Sequence, residues 1–284
     1  MIEQLPPLVS TDWLADRLGR PDLKILDGSW HMPAQNRDAK AEFAAARLPG
    51  ARFFDIDAIA DTASSLPHML PAPADFGAAV GALGIGNEDD VVIYDSVGIF
   101  AAPRVWWTFR AFGHSRVAVL DGGLPKWRRE NRPLETGAVV AAPTPKNFRA
   151  SPREKLVRDA AAMRDNIDSQ KELVLDARSE GRFKGVEPEP RAGLKGGHIP
   201  RSRNLPFQAL IDGASGTMKP AEDLRAIFAA AGVTAKQRVT ASCGSGLTAA
   251  ILAFGLYLTG RDDVAVYDGS WSEWGALPDA PIET

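Results

Sequence analysis

The feature that most constrains this chain is that it repeats itself. Each half opens on an amphipathic stretch leading into a short apolar run that ends in aspartate: Val9 to Leu18 then Lys24-Ile-Leu-Asp27, and Val157 to Ile167 then Leu173-Val-Leu-Asp176. A turn with proline follows, Leu48-Pro49-Gly50-Ala51 in one half and His198-Ile199-Pro200-Arg201 in the other. Gly84-Ile85 matches Gly232-Val233, each placed to close a helix. Val91-Val-Ile-Tyr-Asp95 matches Val239-Thr-Ala-Ser-Cys243, and Val117-Ala-Val-Leu-Asp121-Gly122 matches Val264-Ala-Val-Tyr-Asp268-Gly269. The spacing holds throughout: Asp27 to Asp176 is 149, Pro49 to Pro200 is 151 and Asp121 to Asp268 is 147. A period this long means two copies of one folding unit, not a solenoid of short repeats.

Within each copy, short apolar strands alternate with helical stretches. That order predicts an α/β fold with a parallel sheet covered by helices on both faces. The Pro- and Ala-rich segment between the copies has no periodicity and reads as a linker draped over the surface. The expected division is a domain at 5–135, a linker at 136–152 and a second domain at 153–284. Ligands of such sheets bind beyond the carboxyl ends of the strands.

At that edge of the second copy lies Ser242-Cys243-Gly244-Ser245-Gly246-Leu247-Thr248, between a buried strand and an alanine-rich helix. It holds the only cysteine in the chain. Glycines let backbone N–H groups turn inward, and a helix N-terminus adds its own unpaired N–H groups and a positive dipole end. Such a place favours thiolate over thiol. A lone cysteine is more often a small buried hydrophobe, but this setting points to a nucleophile. In the first copy Asp95 takes its place, so that copy is expected to pack rather than react.

Other residues limit the chemistry. Arg178-Ser-Glu-Gly-Arg182-Phe-Lys184-Gly-Val-Glu187-Pro-Glu-Pro-Arg191 follows the strand ending at Asp176, on the same edge as Cys243. On charge alone these arginines suit either a bound carboxylate or sulfonate or ion pairs with their own Glu187 and Glu189. His68 follows Phe53-Phe-Asp55-Ile-Asp57; a histidine and an acid there could reach the cleft and act on a serine such as Ser245, or the histidine is satisfied within the first half, which spacing alone favours. Trp106, Trp107, Trp127, Trp271 and Trp274 read as core. The four histidines, His31, His68, His114 and His198, have no ligand-like spacing, so no metal site is expected. A net charge of −3 gives no argument for nucleic acid or an anionic membrane. One cysteine excludes an internal disulfide framework and fits a reducing compartment, taken as the cytoplasm. Met1-Ile-Glu-Gln-Leu-Pro-Pro7 lacks the marks of a signal or transit peptide. Ala241 to Gly260 carries no charge over a membrane-length stretch, but its glycines, hydroxyls and strand-plus-turn pattern make it core rather than a span.

Cys243-Gly-Ser-Gly-Leu-Thr248, Arg182 to Arg191, Gly197-His-Ile-Pro200, Phe53 to Asp57, His68-Met-Leu70 and Ala102-Pro-Arg-Val-Trp-Trp107 resemble the rhodanese superfamily in its tandem-domain form. They are closest to the 3-mercaptopyruvate sulfurtransferase branch, because no basic residue follows the cysteine. The resemblance implies two rhodanese-like domains, each with a parallel sheet of about five strands, the second catalytic. It implies that Cys243 takes sulfur from 3-mercaptopyruvate as a persulfide, releasing pyruvate. Arg182 and Arg191 would hold the substrate's carboxylate and keto oxygen. Asp57, His68 and Ser245 would form a proton relay, and backbone N–H groups of Gly244, Ser245, Gly246, Leu247 and Thr248 would stabilise the anionic sulfur. The acceptor would be a small thiol, thioredoxin or cyanide, with no metal or organic cofactor, and the chain would act as a monomer. Phe100 stands where relatives often carry tyrosine.

Four other readings stand beside this one. Gly244-Ser-Gly-Leu-Thr-Ala249 fits a dinucleotide fingerprint but leaves the cysteine unexplained. A cysteine phosphatase needs arginine six positions after the cysteine, where Ala249 stands. Thiosulfate as the main donor, or a non-catalytic persulfide carrier, remains open at the level of sequence.

Overall fold

A computed structural model describes residues 5–137 and 143–284 of the chain. Its first sheet contains β1 (Leu8–Val9), β2 (Leu23–Asp27), β3 (Arg52–Phe53), β4 (Asp90–Tyr94) and β5 (Val117–Leu120), in the order β1-β5-β4-β2-β3. The second contains β6 (Val157–Arg158), β7 (Glu172–Asp176), β8 (Arg203–Asn204), β9 (Arg238–Ser242) and β10 (Ala265–Tyr267), in the order β6-β10-β9-β7-β8. All strand pairs in both are parallel. The expected α/β fold of two five-stranded parallel sheets is therefore what the chain forms.

The register carries the repeat down to single rungs. Leu23 to Asp27 pair with Asp90 to Tyr94, and Glu172 to Asp176 pair with Arg238 to Ser242. Past each strand end, Gly28 N–H donates to Tyr94 O and Ala177 N–H donates to Ser242 O, both at 2.8 Å. In β4 the consecutive residues Val91, Val92 and Ile93 are all fully buried. Consecutive burial requires cover on both faces, and β-branched residues suit such a strand.

The first sheet is flanked by α1 (Thr11–Ala15), α2 (Ala39–Ala45), α3 (Pro73–Ala82), α4 (Ala102–Ala111) and α5 (Gly123–Arg129). The second is flanked by α6 (Ala160–Ser169), α7 (Glu180–Phe183), α8 (Ala221–Ala230), α9 (Ala249–Leu258) and α10 (Ser270–Trp274). Proline opens α3 at its first turn, where its missing N–H costs no bond. Gly84 (φ 75°) and Gly232 (φ 89°) close α3 and α8 in the left-handed conformation. The next amides then reach back, Ile85 N–H to Val80 O and Val233 N–H to Phe228 O. The uncharged stretch from Ala241 is the end of β9, a turn and the ten residues of α9. Among the described residues, no helix is long and apolar enough to cross a membrane. The five tryptophans expected in the core are all buried there.

The chain forms two compact units that depart from a simple division at 136–152. One comprises 1–62, 71–152 and 213–218; the other comprises 63–70, 153–212 and 219–284. Each half thus gives a short arm to the unit built by the other half. The arms end at equivalent positions, 70 and 218, which differ by 148. Nor is the stretch read as a surface linker merely draped. Residues 138–142 of it lie outside the described residues, but Phe148 is buried against Phe76, Phe109 and His114. Phe148 O would lie 2.7 Å from a Cβ on Gly77, and Lys146 O crowds Gly81 still more closely while Lys146 N–H donates to Gly81 O. The two glycines of α3 form the seat for this strand of chain. Gly81→Ala is expected to destabilise the protein by roughly 2 kcal/mol despite alanine's better helix propensity, because the backbone it meets cannot move aside. Urea unfolding of Gly81→Ala beside the wild type checks this; equal midpoints would refute it.

Candidate active site

Cys243 is the first residue beyond β9, the central strand of its sheet, and is 1% exposed. Its main chain is fixed from the side. The Cys243 N–H donates to Ser270 Oγ at 3.1 Å, and Ser270 Oγ–H donates to Tyr267 O at 2.7 Å. Trp271 N–H donates to Cys243 O at 2.9 Å, while Ser272 gives both its N–H (2.8 Å) and its Oγ–H (2.6 Å) to Gly244 O. The start of α10 therefore holds the peptide groups of Cys243 and Gly244 in the loop after β9. Ser270 sits at φ 49° to do so, and its counterpart, 147 residues earlier, is Gly123 at φ 51°.

The first sheet shows what this loop geometry is built to hold. Asp95, in the place of Cys243, is fully buried. Its Oδ1 accepts from Val97 N–H (2.9 Å) and Gly98 N–H (2.8 Å). Its Oδ2 accepts from Phe100, Ala101 and Ala102 N–H, each at 2.9 Å. Five amides thus converge on one side chain, the arrangement that binds anions at a strand-to-helix turn. The corresponding amides in the second unit, 148 residues on, belong to Ser245, Gly246, Thr248, Ala249 and Ala250. Gly98 and Gly246 are both left-handed, at φ 125° and 74°. Leu124 N–H holds Asp95 O at 3.0 Å as Trp271 N–H holds Cys243 O. Ser245 and Leu247 are buried; Thr248 opens α9 with no hydrogen bond from its hydroxyl to the helix.

The arginine loop forms the ion pairs that its charges allow. Arg178 is buried, with Nη2 at 2.6 Å from Asp176 Oδ2, Nη1 at 2.7 Å from Glu189 Oε1, and its guanidinium 4.2 Å above the Trp271 ring. Arg182 gives Nε and Nη2 to the two oxygens of Glu189, at 3.2 and 2.5 Å. Glu189, its side chain only 3% exposed, thus bridges two arginines. Glu187 accepts instead from Ser179 Oγ–H at 2.6 Å. Yet Arg182 also reaches the nucleophile loop: its Nη2 lies 3.0 Å from where a Cβ on Gly244 would be. Gly244 is small because a guanidinium occupies that space. Two of the five N–H donors of Arg182 go to Glu189. Arg191 is half-buried farther along the same loop.

His68 is placed differently from its sequence reading. It lies on the 63–70 arm and so in the unit of Cys243 and Ser245, not within the first. It is buried and left-handed at φ 63°. Its counterpart is Gly216, at φ 71°. A non-glycine residue there costs roughly 1–2 kcal/mol, so the imidazole is kept at a position where glycine fits better. Asp57 stays in the first unit, where its Oδ2 accepts the Trp30 indole N–H at 3.0 Å. Among the described residues, no group of three His, Cys, Asp or Glu side chains is placed to hold a metal.

The rhodanese-like domain model matches residues 10–130 and again 159–277. The chain belongs to the rhodanese family. This tandem rhodanese is 44% identical to the human protein named 3-mercaptopyruvate sulfurtransferase, over 94% of this chain and 91% of that one. It is also 44% identical to "Thiosulfate/3-mercaptopyruvate sulfurtransferase 1, mitochondrial" of Arabidopsis thaliana, over 98% and 78% of the two chains. Among solved structures, SseA of Escherichia coli, described as having the rhodanese fold of 3-mercaptopyruvate sulfotransferases, superposes with a TM-score of 0.84. It is 36% identical, over 94% of this chain and 99% of that one.

The residues that sequence reasoning missed are those that hold the loop in place, Ser270 and Ser272. Ser270 alone of the two left a trace in the sequence, as the place where the repeat exchanges Gly123 for serine. The pairing of Glu189 with the arginines was one of the two readings the charges allowed. The Asp95 cradle yields a direct test. Asp95→Ala removes the acceptor of five amides and is expected to cost on the order of 3 kcal/mol, with Asp95→Asn costing less because one oxygen remains. Urea unfolding of the pair measures it; an Asp95→Ala protein as stable as wild type would refute the cradle.

Proposed function

We propose that this rhodanese is a sulfurtransferase that moves sulfur from 3-mercaptopyruvate, through a persulfide on Cys243, to a thiol or cyanide, and releases pyruvate. The observation that carries the reading is the Arg182 guanidinium lying against Gly244, one residue past the nucleophile. It supplies charge-assisted donors for a small acid beside the sulfur.

In the proposed reaction the Cys243 thiolate attacks the substrate's sulfur. An S–S bond forms, and the C–S bond breaks with its electron pair leaving on the three-carbon fragment as the pyruvate enolate. The sulfur's proton moves to that enolate carbon, giving pyruvate and the persulfide anion. Arg182 and Arg191 hold the carboxylate and keto oxygen and so stabilise the enolate charge. Ser245 and His68, which share a unit, are assigned the proton; no step is routed through Asp57. The amides of Ser245, Gly246 and Thr248, with those of Ala249 and Ala250 at the start of α9, receive the anionic sulfur as their counterparts in the first unit receive Asp95. An acceptor thiolate, from a small thiol or thioredoxin, then attacks the outer sulfur of the protonated persulfide. Cys243 leaves as thiolate, so one difficult transfer becomes two easier ones. A reducing compartment such as the cytoplasm would keep the thiol ready.

Relatives of equal identity bear both donor names, so the choice between donors rests on local charge. Asp176 and Glu189 balance Arg178 and Arg182, and Arg191, the other arginine of the proposed clamp, adds one positive charge. No side chain from Gly244 to Thr248 is basic. Such a site suits the monoanion mercaptopyruvate better than the thiosulfate dianion.

A paired donor assay tests the proposal, following pyruvate from 3-mercaptopyruvate and sulfite from thiosulfate with one shared acceptor. Higher kcat/KM with mercaptopyruvate is expected, falling to background in Cys243→Ser. Preference for thiosulfate would overturn the donor, and a fully active Cys243→Ser would overturn the nucleophile. Arg182→Ala is expected to lower kcat/KM for mercaptopyruvate roughly 10- to 100-fold, the loss of a hydrogen bond to a charged group. An unchanged value in steady-state kinetics would remove the carboxylate clamp.

A further inference from the structure

The arm that carries His68 is fastened to its unit by a carboxylate the reaction does not use. Leu70 N–H donates to Asp268 Oδ2 at 2.8 Å, across 198 residues of sequence. Asp268 is buried, and it is the first residue beyond β10, where its own N–H donates to Arg158 O. Two residues on, Ser270 holds the Cys243 N–H, and Trp271 and Ser272 hold the carbonyls of Cys243 and Gly244. One short segment, 268–272, therefore grips the nucleophile loop at one end and the His68 arm at the other.

The first unit repeats the device without the chemistry. Met218 N–H donates to Asp121 Oδ1 at 2.9 Å, across 97 residues. Asp121 is the counterpart of Asp268, and Met218 that of Leu70. The arm it fastens carries Gly216 where the other carries His68, and the loop beside it carries Asp95 where the other carries Cys243. The tie is thus part of the repeat, and in only one copy does it bring together a histidine and a thiol.

We infer that Asp268 is a positioning residue for turnover: by holding the Leu70 amide, it sets His68 at a fixed place relative to the Cys243 loop. This rests on the reading of His68 as a participant in the proposed sulfur transfer. The tie acts two residues from His68, where the left-handed backbone of the imidazole-bearing residue must be held against its own preference. The cost of releasing it falls on kcat, because the arginines that bind substrate sit on a different loop.

The test is a mutant cycle assayed with 3-mercaptopyruvate and a small thiol, each folded variant first checked by thermal melt. Asp268→Ala is expected to lower kcat about tenfold, with KM within about twofold. Asp268→Asn, which keeps an acceptor oxygen, should recover most of the rate. Leu70→Pro removes the donor while leaving Asp268 in place and should reproduce the Asp268→Ala loss; it also serves if Asp268→Ala does not fold. Asp121→Ala, at the equivalent tie, should keep wild-type kcat. Limited proteolysis should cut within 63–70 in Asp268→Ala and Leu70→Pro but not in wild type. The deciding comparison is His68→Ala with and without Asp268→Ala: the second change should add nothing once the imidazole is gone. An impaired His68→Ala with a further full loss in the double variant would overturn Asp268 alone. A fully active His68→Ala would overturn the role of His68 and, with it, the positioning role. Wild-type kcat in Asp268→Ala, or an equal loss in Asp121→Ala, would also overturn the inference.

Discussion

The architecture depends on what happens to backbone N–H groups where a buried parallel strand turns into a helix. A strand end supplies no acceptor for the amides of the turn, and the first turn of the helix leaves its own amides unpaired. A buried turn of this kind must be given an acceptor or the unmet donors weigh against folding. The first unit meets the demand with Asp95, whose two oxygens take five amides. The second unit has Cys243 in that place, and a thiol is a poor acceptor until it is anionic. On the proposed mechanism the counterpart amides of this loop receive the anionic sulfur of the persulfide, as those of the first unit receive the carboxylate of Asp95.

Charge balance around the cradle follows from burial. A guanidinium brought beside Gly244 must be partnered, because an isolated buried charge is costly. Glu189 and Asp176 partner both arginines, and the cation–π contact of Arg178 with Trp271 ties that network to the segment that pins the nucleophile. Arg182 is held by one edge. Donors held in fixed directions select by geometry as well as by charge, and a planar carboxylate matches a guanidinium edge.

The exchanged arms show how a duplicated unit becomes specialised. Both arms are fastened by the same aspartate-to-amide bond, and both turn through a left-handed residue. Glycine serves in one copy, and histidine is tolerated in the other at a cost in backbone energy. The two copies differ at a few positions of like geometry, Asp95 against Cys243, Gly216 against His68 and Gly123 against Ser270, while the register of the sheets stays the same.

Much of this was legible in the residues because it is local. Alternation of apolar strands and helices, Gly84 and Gly232 past helix ends, and a cysteine between β9 and α9 all follow from short-range conformational preference and burial. The repeat then extended each reading to the other half. What sequence could not supply is which distant groups meet. His68 read as a residue of the first half, and the stretch containing Phe148 as a linker. Both were decided by chain closure over long separations, where the pattern of residue types is silent. The sequence by itself determined the two sheets, the strand edge at which Cys243 sits and the turn that carries it. Only the tertiary structure decided what holds that residue: Ser270 on its amide, Arg182 at its neighbouring glycine, and the arm of His68 tied to Asp268. Hydrogen-bond partners are chosen by the geometry of the whole fold, whereas strands, turns and helix ends are chosen by the residues within them.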